Sequence, residues 1–325
     1  MSSWKQIIPG GIITISIGLL ALLLYPIFPI KLGSVIVSLL IGIILGNSFK
    51  LPENTNQGVN FASSTLLELS IVFLAFGFSY SEISKLGISS FFGIALMVLI
   101  LLIATYFLAK YFKCPSNTGF LIGFGTTICG SAAIAALMPS LKDSKKEDVA
   151  ISLAVVNLMG TIGMLIMPAV IQQLHLGASE SALLIGGGLH SVGNVAGAAF
   201  SISPEIGEAA LTVKLARVAL LTPGLIFFTI LINRGENTSW KQYLKLPWYL
   251  IAFIAVTIIT SIFTFETAYV NDLKNTGHFI LTVAMAGIGL KVDFRKLLSA
   301  GKRGIRFGVV IFIIQLLILG ILINL

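Results

Sequence analysis

The amino-acid sequence predicts an all-α polytopic membrane protein with about eleven transmembrane helices. Three observations predict it. Apolar runs of roughly 20 residues, enough for a helix to span a bilayer, recur to the C-terminal end of the chain. Only 10% of the 325 residues are charged, whereas a soluble domain carries about 25%. Those charges sit in clusters between the runs. The runs are also long and continuous, unlike the short alternating segments of a β-barrel. Because they recur, the first is not read as a signal peptide ahead of a soluble domain.

In chain order the apolar segments are 7–28, 33–49, 64–78, 88–112, 118–138, 149–173, 181–200, 206–232, 247–264, 276–290 and 304–324. Connections are short, and no appended soluble domain fits, so 1–325 reads as a single integral membrane transporter domain. The N-terminus and the loops after every second segment carry 13 Lys and Arg, including Lys50, Arg234, Lys241, Lys245, Arg295 and Lys296; the opposite loops carry 6. Positive loops stay in the cytoplasm, which puts the N-terminus inside and the C-terminus outside. The net charge of +8 then belongs to cytoplasmic loops and not to nucleic-acid binding. Cys114 and Cys129 form neither a metal spacing nor a disulfide framework.

Two segments resemble each other. "LIGFGTTICGSAAIAAL" (Leu121 to Leu137) aligns without a gap on "LIGGGLHSVGNVAGAAF" (Leu184 to Phe200), with 8 of 17 positions identical, among them Gly123/Gly186, Gly125/Gly188 and Gly130/Gly193. A weaker echo joins "FLAFGFSYSEISKLG" (Phe73 to Gly87) to "AMAGIGLKVDFRKLLSAG" (Ala284 to Gly301): each is a span ending at Gly77 or Gly289, then a polar turn and another helix. These two spans cross in opposite directions, as inverted repeats require. The motif order is A-B-B-A, which such a repeat does not by itself explain.

Glycine in a membrane helix serves close packing or marks an interruption. Packing suits Gly42 and Gly46. Interruption suits "GFGTTICGSAA" and "GGGLHSVGN", where glycines and β-branched threonines make a poor helix interior. Unwound backbone at membrane depth occurs only where it lines a cavity or is buried in protein. Half-helix N-termini then present free N–H groups and a positive dipole end, which attract anions. The first stretch offers Thr126, Thr127, Cys129, Gly130 and Ser131; the second offers His190, Ser191 and Asn194. Thr, Ser and Asn can instead bond across helices or to their own carbonyls. Cys129, with no activating neighbour in sequence, reads as a small packing residue and not a nucleophile. His190 is ionisable inside the membrane and is therefore a functional candidate.

Lys214 and Arg217, three residues apart, share a helix face two to three turns inside the segment 206–232. They either snorkel to an interface or face an aqueous interior. In the interior they need a negative partner, and a multiply charged anion with bidentate contact to Arg suits them. Glu68 is the clearest acid within a span; it reads as a proton or cation site or as an interface residue.

At these residues the chain resembles the bacterial sulfate exporter family of membrane proteins. The resemblance is carried by "ICGSAAIAA" (Ile128 to Ala136), "LHSVGNVAGAA" (Leu189 to Ala199), "VKLARVALLTP" (Val213 to Pro223) and the two echo segments, in family order over nearly the whole chain. That family is grouped with bile-acid/sodium symporters and cation/proton antiporters. The resemblance implies an inverted-repeat core with two broken crossing helices, a scaffold domain, elevator-like movement, and residence in the bacterial inner (cell) membrane. The chain departs from the family at His190-Ser191-Val192-Gly193-Asn194-Val195, where members usually read His-Glu-Val-Ala-Gln-Val, and at Glu68, where they tend to carry a base.

The expectation is a secondary transporter, possibly an exporter, of a small anion such as sulfate or an organic sulfonate or carboxylate. Thr126, Thr127, Cys129, Gly130, Ser131, His190, Ser191, Asn194, Lys214 and Arg217 would bind it, and Glu68 or His190 would couple it. No cofactor is expected; the coupling ion, if one is used, is H+ or Na+. The implied partners are the anion and the lipid bilayer, without nucleic acid, and a homodimer is compatible. The alternative is a sodium- or proton-coupled cation antiporter of the same fold group. An intramembrane enzyme built on His190 with Cys129 or Ser131 lacks a nucleophile–base–orienter set in sequence, so no enzyme is expected.

Overall fold

A computed structural model describes residues 2–27, 33–49, 51–77, 87–114, 117–141, 145–233, 247–263, 265–292 and 302–323. The described residues are helical, with no strand among them. The helices are α1 (Ser2–Leu24), α2 (Ser34–Ser48), α3 (Asn56–Phe61), α4 (Leu67–Leu74), α5 (Gly87–Tyr111), α6 (Thr118–Thr127), α7 (Ser131–Leu137), α8 (Lys146–Leu174), α9 (Ala178–Gly188), α10 (Val192–Phe200), α11 (Pro204–Ala219), α12 (Leu221–Asn233), α13 (Trp248–Ile262), α14 (Thr267–Leu290) and α15 (Lys302–Ile323).

Each of the apolar segments read from the sequence falls on one or two of these helices. Among the described residues, long uninterrupted spans are fewer than eleven. Among the described residues five helices are long and apolar enough to cross a membrane: Gln6–Ile27, Glu53–Gly77, Ser90–Tyr111, Glu147–Leu174 and Arg303–Ile323. A sixth forms if the pair Pro204–Ala219 and Leu221–Ile232, bent by 42°, counts as one. The shortfall has physical causes. Segments 118–138 and 181–200 are each split in two, and α2 and α13 have only 15 residues each. The bend between α11 and α12 follows from Pro223, which has no N–H for the Ala219 carbonyl and whose ring crowds it. The polar turns expected after Gly77 and Gly289 fall mainly in 78–86 and 293–301, outside the described residues. So do Lys50, Arg234, Lys241, Lys245, Arg295 and Lys296, on which the orientation reading rests.

The chain divides into two compact units: Met1–Ile83, Ala196–Glu208 and Trp248–Phe294 form one, and Ser84–Val195, Ala209–Pro247 and Arg295–Leu325 the other. In the first unit α2 and α14 pack backbone to backbone. A Cβ on Gly289 would stand 2.3 Å from Leu39 O, and one on Gly42 would stand 2.6 Å from Ala286 O. Small residues therefore set this approach, the role membrane helices commonly give them. Gly289, read from the sequence as the end of a span, is a packing glycine here. Ser38 reinforces the pair by donating to the Thr282 carbonyl at 2.7 Å. In the second unit α5, α8 and α15 pack against α6, α8 packs against α7, and α15 packs against α9.

Candidate functional site

The first break follows from its residues. Helix α6 ends at two β-branched threonines, with Ile128 making its last helical bond to Phe124 O at 3.1 Å. Gly130 then takes φ 78°, ψ −128°, a conformation essentially closed to side-chain-bearing residues. Its N–H closes back on Gly125 O at 2.7 Å, and its own carbonyl starts α7 by accepting from Ile134 N at 3.2 Å.

The second break has another construction. Helix α9 runs out through Gly186-Gly187-Gly188, and Leu189 is extended at φ −75°, ψ 152°. Ser191 then caps α10. Its hydroxyl accepts from Asn194 N at 3.1 Å, and Asn194 Oδ1 accepts from Ser191 N at 3.3 Å and from the Ser191 hydroxyl. That is a capping box with asparagine in the place usually held by Glu or Gln.

The two breaks meet around the cations of α11. Lys214 and Arg217 are fully buried. Lys214 Nζ donates to Ile128 O (3.0 Å) of the first break and to Leu189 O (2.9 Å) and His190 O (2.6 Å) of the second. The ammonium form carries one hydrogen for each of these three acceptors. Arg217 spans the same gap. One terminal nitrogen donates to Gly186 O (3.2 Å), Gly187 O (2.7 Å) and Leu189 O (3.0 Å), the other to Thr126 O (2.9 Å) and Thr127 O (2.8 Å). Thr126 O, Thr127 O, Gly186 O and Gly187 O are carbonyls that a helix leaves unpaired at its C-terminal end, and Ile128 O, Leu189 O and His190 O belong to the turns that follow. Two negative helix ends are thereby brought together and held by two fixed cations. The snorkelling reading of the pair is overturned, because neither side chain reaches a surface.

Among the described residues no carboxylate pairs with either cation; the ion pair described, Lys274 with Glu208 at 2.5 Å, belongs to the other unit. Gln315 of α15, also fully buried, joins the cap by donating to Gly187 O (2.5 Å) and Gly188 O (3.1 Å). Sequence reading missed it. The signal was present: Gln315 is the one polar side chain between Phe307 and Ile323.

The remaining candidates separate by exposure. Ser131, at the start of α7, is exposed, and Ser191 is half-buried. Thr126, Thr127, Cys129, His190 and Asn194 are buried. Thr127 spends its hydroxyl on Gly123 O at 2.8 Å, the local back-bonding common for threonine in helices. The Thr126 hydroxyl and both ring nitrogens of His190 are buried without a hydrogen-bond partner, which is rare for groups of this kind. The His190 ring lies 4.9 Å from the Phe312 ring of α15. A Cβ on Gly160 of α8 would meet Asn194 Oδ1 at 2.6 Å, so that glycine makes room for the capping box. Glu68 is not brought to this centre. It lies in the first unit, where Oε2 accepts from the Trp248 indole N–H at 2.5 Å, the arrangement expected of a residue at a membrane–water interface. Among the described residues no group of His, Cys, Asp and Glu could hold a metal ion.

The family model described as "Conserved hypothetical protein 698" matches residues 9–308. The chain is 33% identical over 285 residues to the UPF0324 inner membrane protein YeiH of Escherichia coli, covering 85% of this chain and 80% of that protein. It is 31% identical over 269 residues to a UPF0324 membrane protein of Oceanobacillus iheyensis, covering 81% and 79%. To a UPF0324 membrane protein of Clostridium perfringens it is 29% identical over 328 residues, covering 98% and 96%. No solved structure matches.

Proposed function

Since the chain belongs to the conserved hypothetical protein 698 family, the multi-helix membrane proteins called UPF0324, we propose that it is a secondary transporter of a small anion, resident like the named Escherichia coli relative in the inner membrane. The carrying observation is the charge at the helix breaks: Lys214 and Arg217 are buried and hydrogen-bonded to neutral carbonyls, with no carboxylate partner among the described residues. Two half-helix C-termini offset about one unit of that charge and the two half-helix N-termini return it, leaving a net positive centre. A monoanion about 6 Å from one of these charges gains roughly 3 kcal/mol at an effective dielectric constant of about 20. The role of the cations differs from the sequence expectation: the Lys214 hydrogens and those on both terminal nitrogens of Arg217 are spent on the fold, and the Arg217 Nε–H is buried without a described partner, so they act on the cargo through their field, and direct contact falls to the accessible first turns at Ser131 and Ser191.

The same geometry weighs against the cation antiporter. Transporters that coordinate sodium at broken helices use unwound carbonyls and half-helix C-terminal ends. Here those oxygens are already held by side-chain cations. His190 is the group assigned to proton coupling, in place of Glu68. A proton on its ring would add a third positive charge to the centre, and a bound anion offsets that charge, which links the two ligands thermodynamically.

The test is flux and thermal stability of the purified full-length chain. Sulfate, sulfonates and carboxylates are screened at several pH values in sodium and choline salts. A ligand of the folded state at 100 times its Kd adds about 2.7 kcal/mol. The expected result is stabilisation and uptake by at least one anion, unchanged when choline replaces sodium and reduced in Ser131→Ala. Stabilisation by sodium with no response to any anion overturns the proposal.

A further inference from the structure

At the end of α5 a pocket of about 350 Å³ is lined by Ala109, Lys110, Lys113, Cys114 and Phe120. The chain makes it by stopping the helix abruptly. Lys113 turns left-handed at φ 48°, and Cys114 N reaches back to Ala109 O at 3.3 Å, so the two lysines flank a recess instead of continuing a helical surface. Lys110 is held over Tyr106, its Nζ 2.6 Å from the phenol oxygen and 3.9 Å from the ring centroid. Phe120 stacks on the same Tyr106. Phe112 meets Phe307 edge-on at 6.0 Å, which brings the first turn of α15, with exposed Arg303 and Arg306, alongside. Burial pushes the Cys114 thiol up, and the nearby Arg303 guanidinium opposes that. Asp148, on the α8 start that packs against α6, is spent on the Thr118 hydroxyl at 2.7 Å and on Lys145 N.

A stripe on α5 leads to this pocket. Phe92, Leu96, Ile100, Ile103, Phe107 and Tyr111 are all exposed, and they recur at three- and four-residue steps along one face. On a membrane-spanning helix such a stripe faces acyl chains, and its terminal Tyr111 stands at headgroup level, where aromatics concentrate. We propose that this pocket binds the headgroup of an anionic phospholipid, with the phosphate between Lys110, Lys113 and Arg303 and the acyl chains along the α5 stripe. Basic recesses at the ends of membrane helices are the usual receptors for such headgroups. The continuity of recess and stripe favours a lipid over a soluble anion, which would have no use for the apolar track.

Cys114 supplies the readout, because it lines the pocket, whereas Cys129, the other cysteine, is buried. The full-length chain is placed in nanodiscs of phosphatidylcholine alone or of phosphatidylcholine with phosphatidylglycerol or cardiolipin. Maleimide modification of Cys114 is followed by peptide mass spectrometry. Anionic lipid should slow labelling several-fold in the wild type and much less in Lys110→Gln/Lys113→Gln. If that variant does not fold, the wild-type comparison among lipids decides alone. Equal rates in all discs overturn the proposal. Protection by inorganic phosphate in phosphatidylcholine discs, with none from anionic lipid, assigns the recess to a soluble anion and overturns it as well. Neither outcome bears on transport, so this site and the anion carrier stand or fall separately.

Discussion

The break between α6 and α7 turns on a glycine, whereas the break between α9 and α10 turns on side chains. In the first, the backbone of Gly130 adopts φ 78° and closes its own hydrogen bonds. In the second, Leu189 is ordinary extended chain, and Ser191 with Asn194 builds the start of the next helix. The two sequences align over 17 positions, yet Gly130 pairs with Gly193, which lies inside α10. Similar composition has thus produced the same interruption about two residues out of register. What the breaks share is not a local conformation but a requirement: both leave C-terminal carbonyls in the interior, and the same two cations satisfy them.

Arg217 is where that shared requirement is greatest. Its five carbonyl partners come from both breaks. Leu189 O and Gly187 O keep Lys214 and Gln315 as donors, so three carbonyls, Gly186 O, Thr126 O and Thr127 O, are orphaned; at about 1–3 kcal/mol each, Arg217→Ala is expected to lose more than about 4 kcal/mol, the range of broken buried networks. Arg217→Lys should recover little, because one ammonium cannot reproduce a planar fork across two helix ends. Thermal denaturation in detergent measures both. A mild loss in Arg217→Ala would mean that the breaks hold themselves.

Lys214→Ala should cost less, about 2–4 kcal/mol, because it orphans Ile128 O and His190 O while Leu189 O keeps Arg217 as a donor. It also exposes a specific chemistry. The three oxygens from two helix ends then resemble the carbonyl cages that hold alkali cations in broken-helix transporters. Sodium or potassium chloride, compared with choline chloride, should raise the Tm of Lys214→Ala and leave the wild type unchanged. Identical Tm values in all three salts would show that the oxygens spread apart once the ammonium is gone.

Gly130→Ala separates the two breaks. A Cβ there has room, its first neighbour being His190 O at 3.4 Å, so the cost is backbone strain of about 1–3 kcal/mol. The matching substitution Gly193→Ala falls within a helix and carries no such strain. A larger Tm loss for Gly193→Ala than for Gly130→Ala would contradict the glycine-based account of the first break.

The breaks themselves were legible in the sequence, because glycines beside β-branched threonines are poor helix formers whatever surrounds them. The burial of Lys214 and Arg217 was half legible. Their depth in an apolar segment announced an interior role, but the partner chosen was an anion, since backbone carbonyls leave no mark in a sequence. Glu68 stayed open between a coupling site and an interface residue for a related reason: an acid near the start of a span looks the same whether it meets a cargo or the Trp248 indole. Gln315 stands alone in an apolar run, far in sequence from the glycine stretches whose carbonyls it caps, so nothing beside it marks its role. Among the described residues fewer helices than the eleven apolar segments are single long spans, because hydropathy registers apolar length and not continuity, so a split helix counts like a whole one.

The smallest expected effect sits at the second break alone. Gln315→Leu removes two hydrogen bonds, to Gly187 O and Gly188 O. Gly187 O keeps Arg217 as a donor, so only the Gly188 carbonyl loses a described side-chain donor. The substitution also deletes Gln315 Oε1, itself buried without a partner, which returns part of the loss. The net cost should be about 1 kcal/mol, comparable with loss of the Ser191 cap in Ser191→Ala, also about 1 kcal/mol. If the second break is held by side chains acting independently, the double variant Gln315→Leu/Ser191→Ala should lose the sum of the two in Tm. A double-mutant loss well short of that sum would instead couple α9's end to α10's start through the Leu189–His190 turn between them, making the break one cooperative unit as the Gly130 turn is.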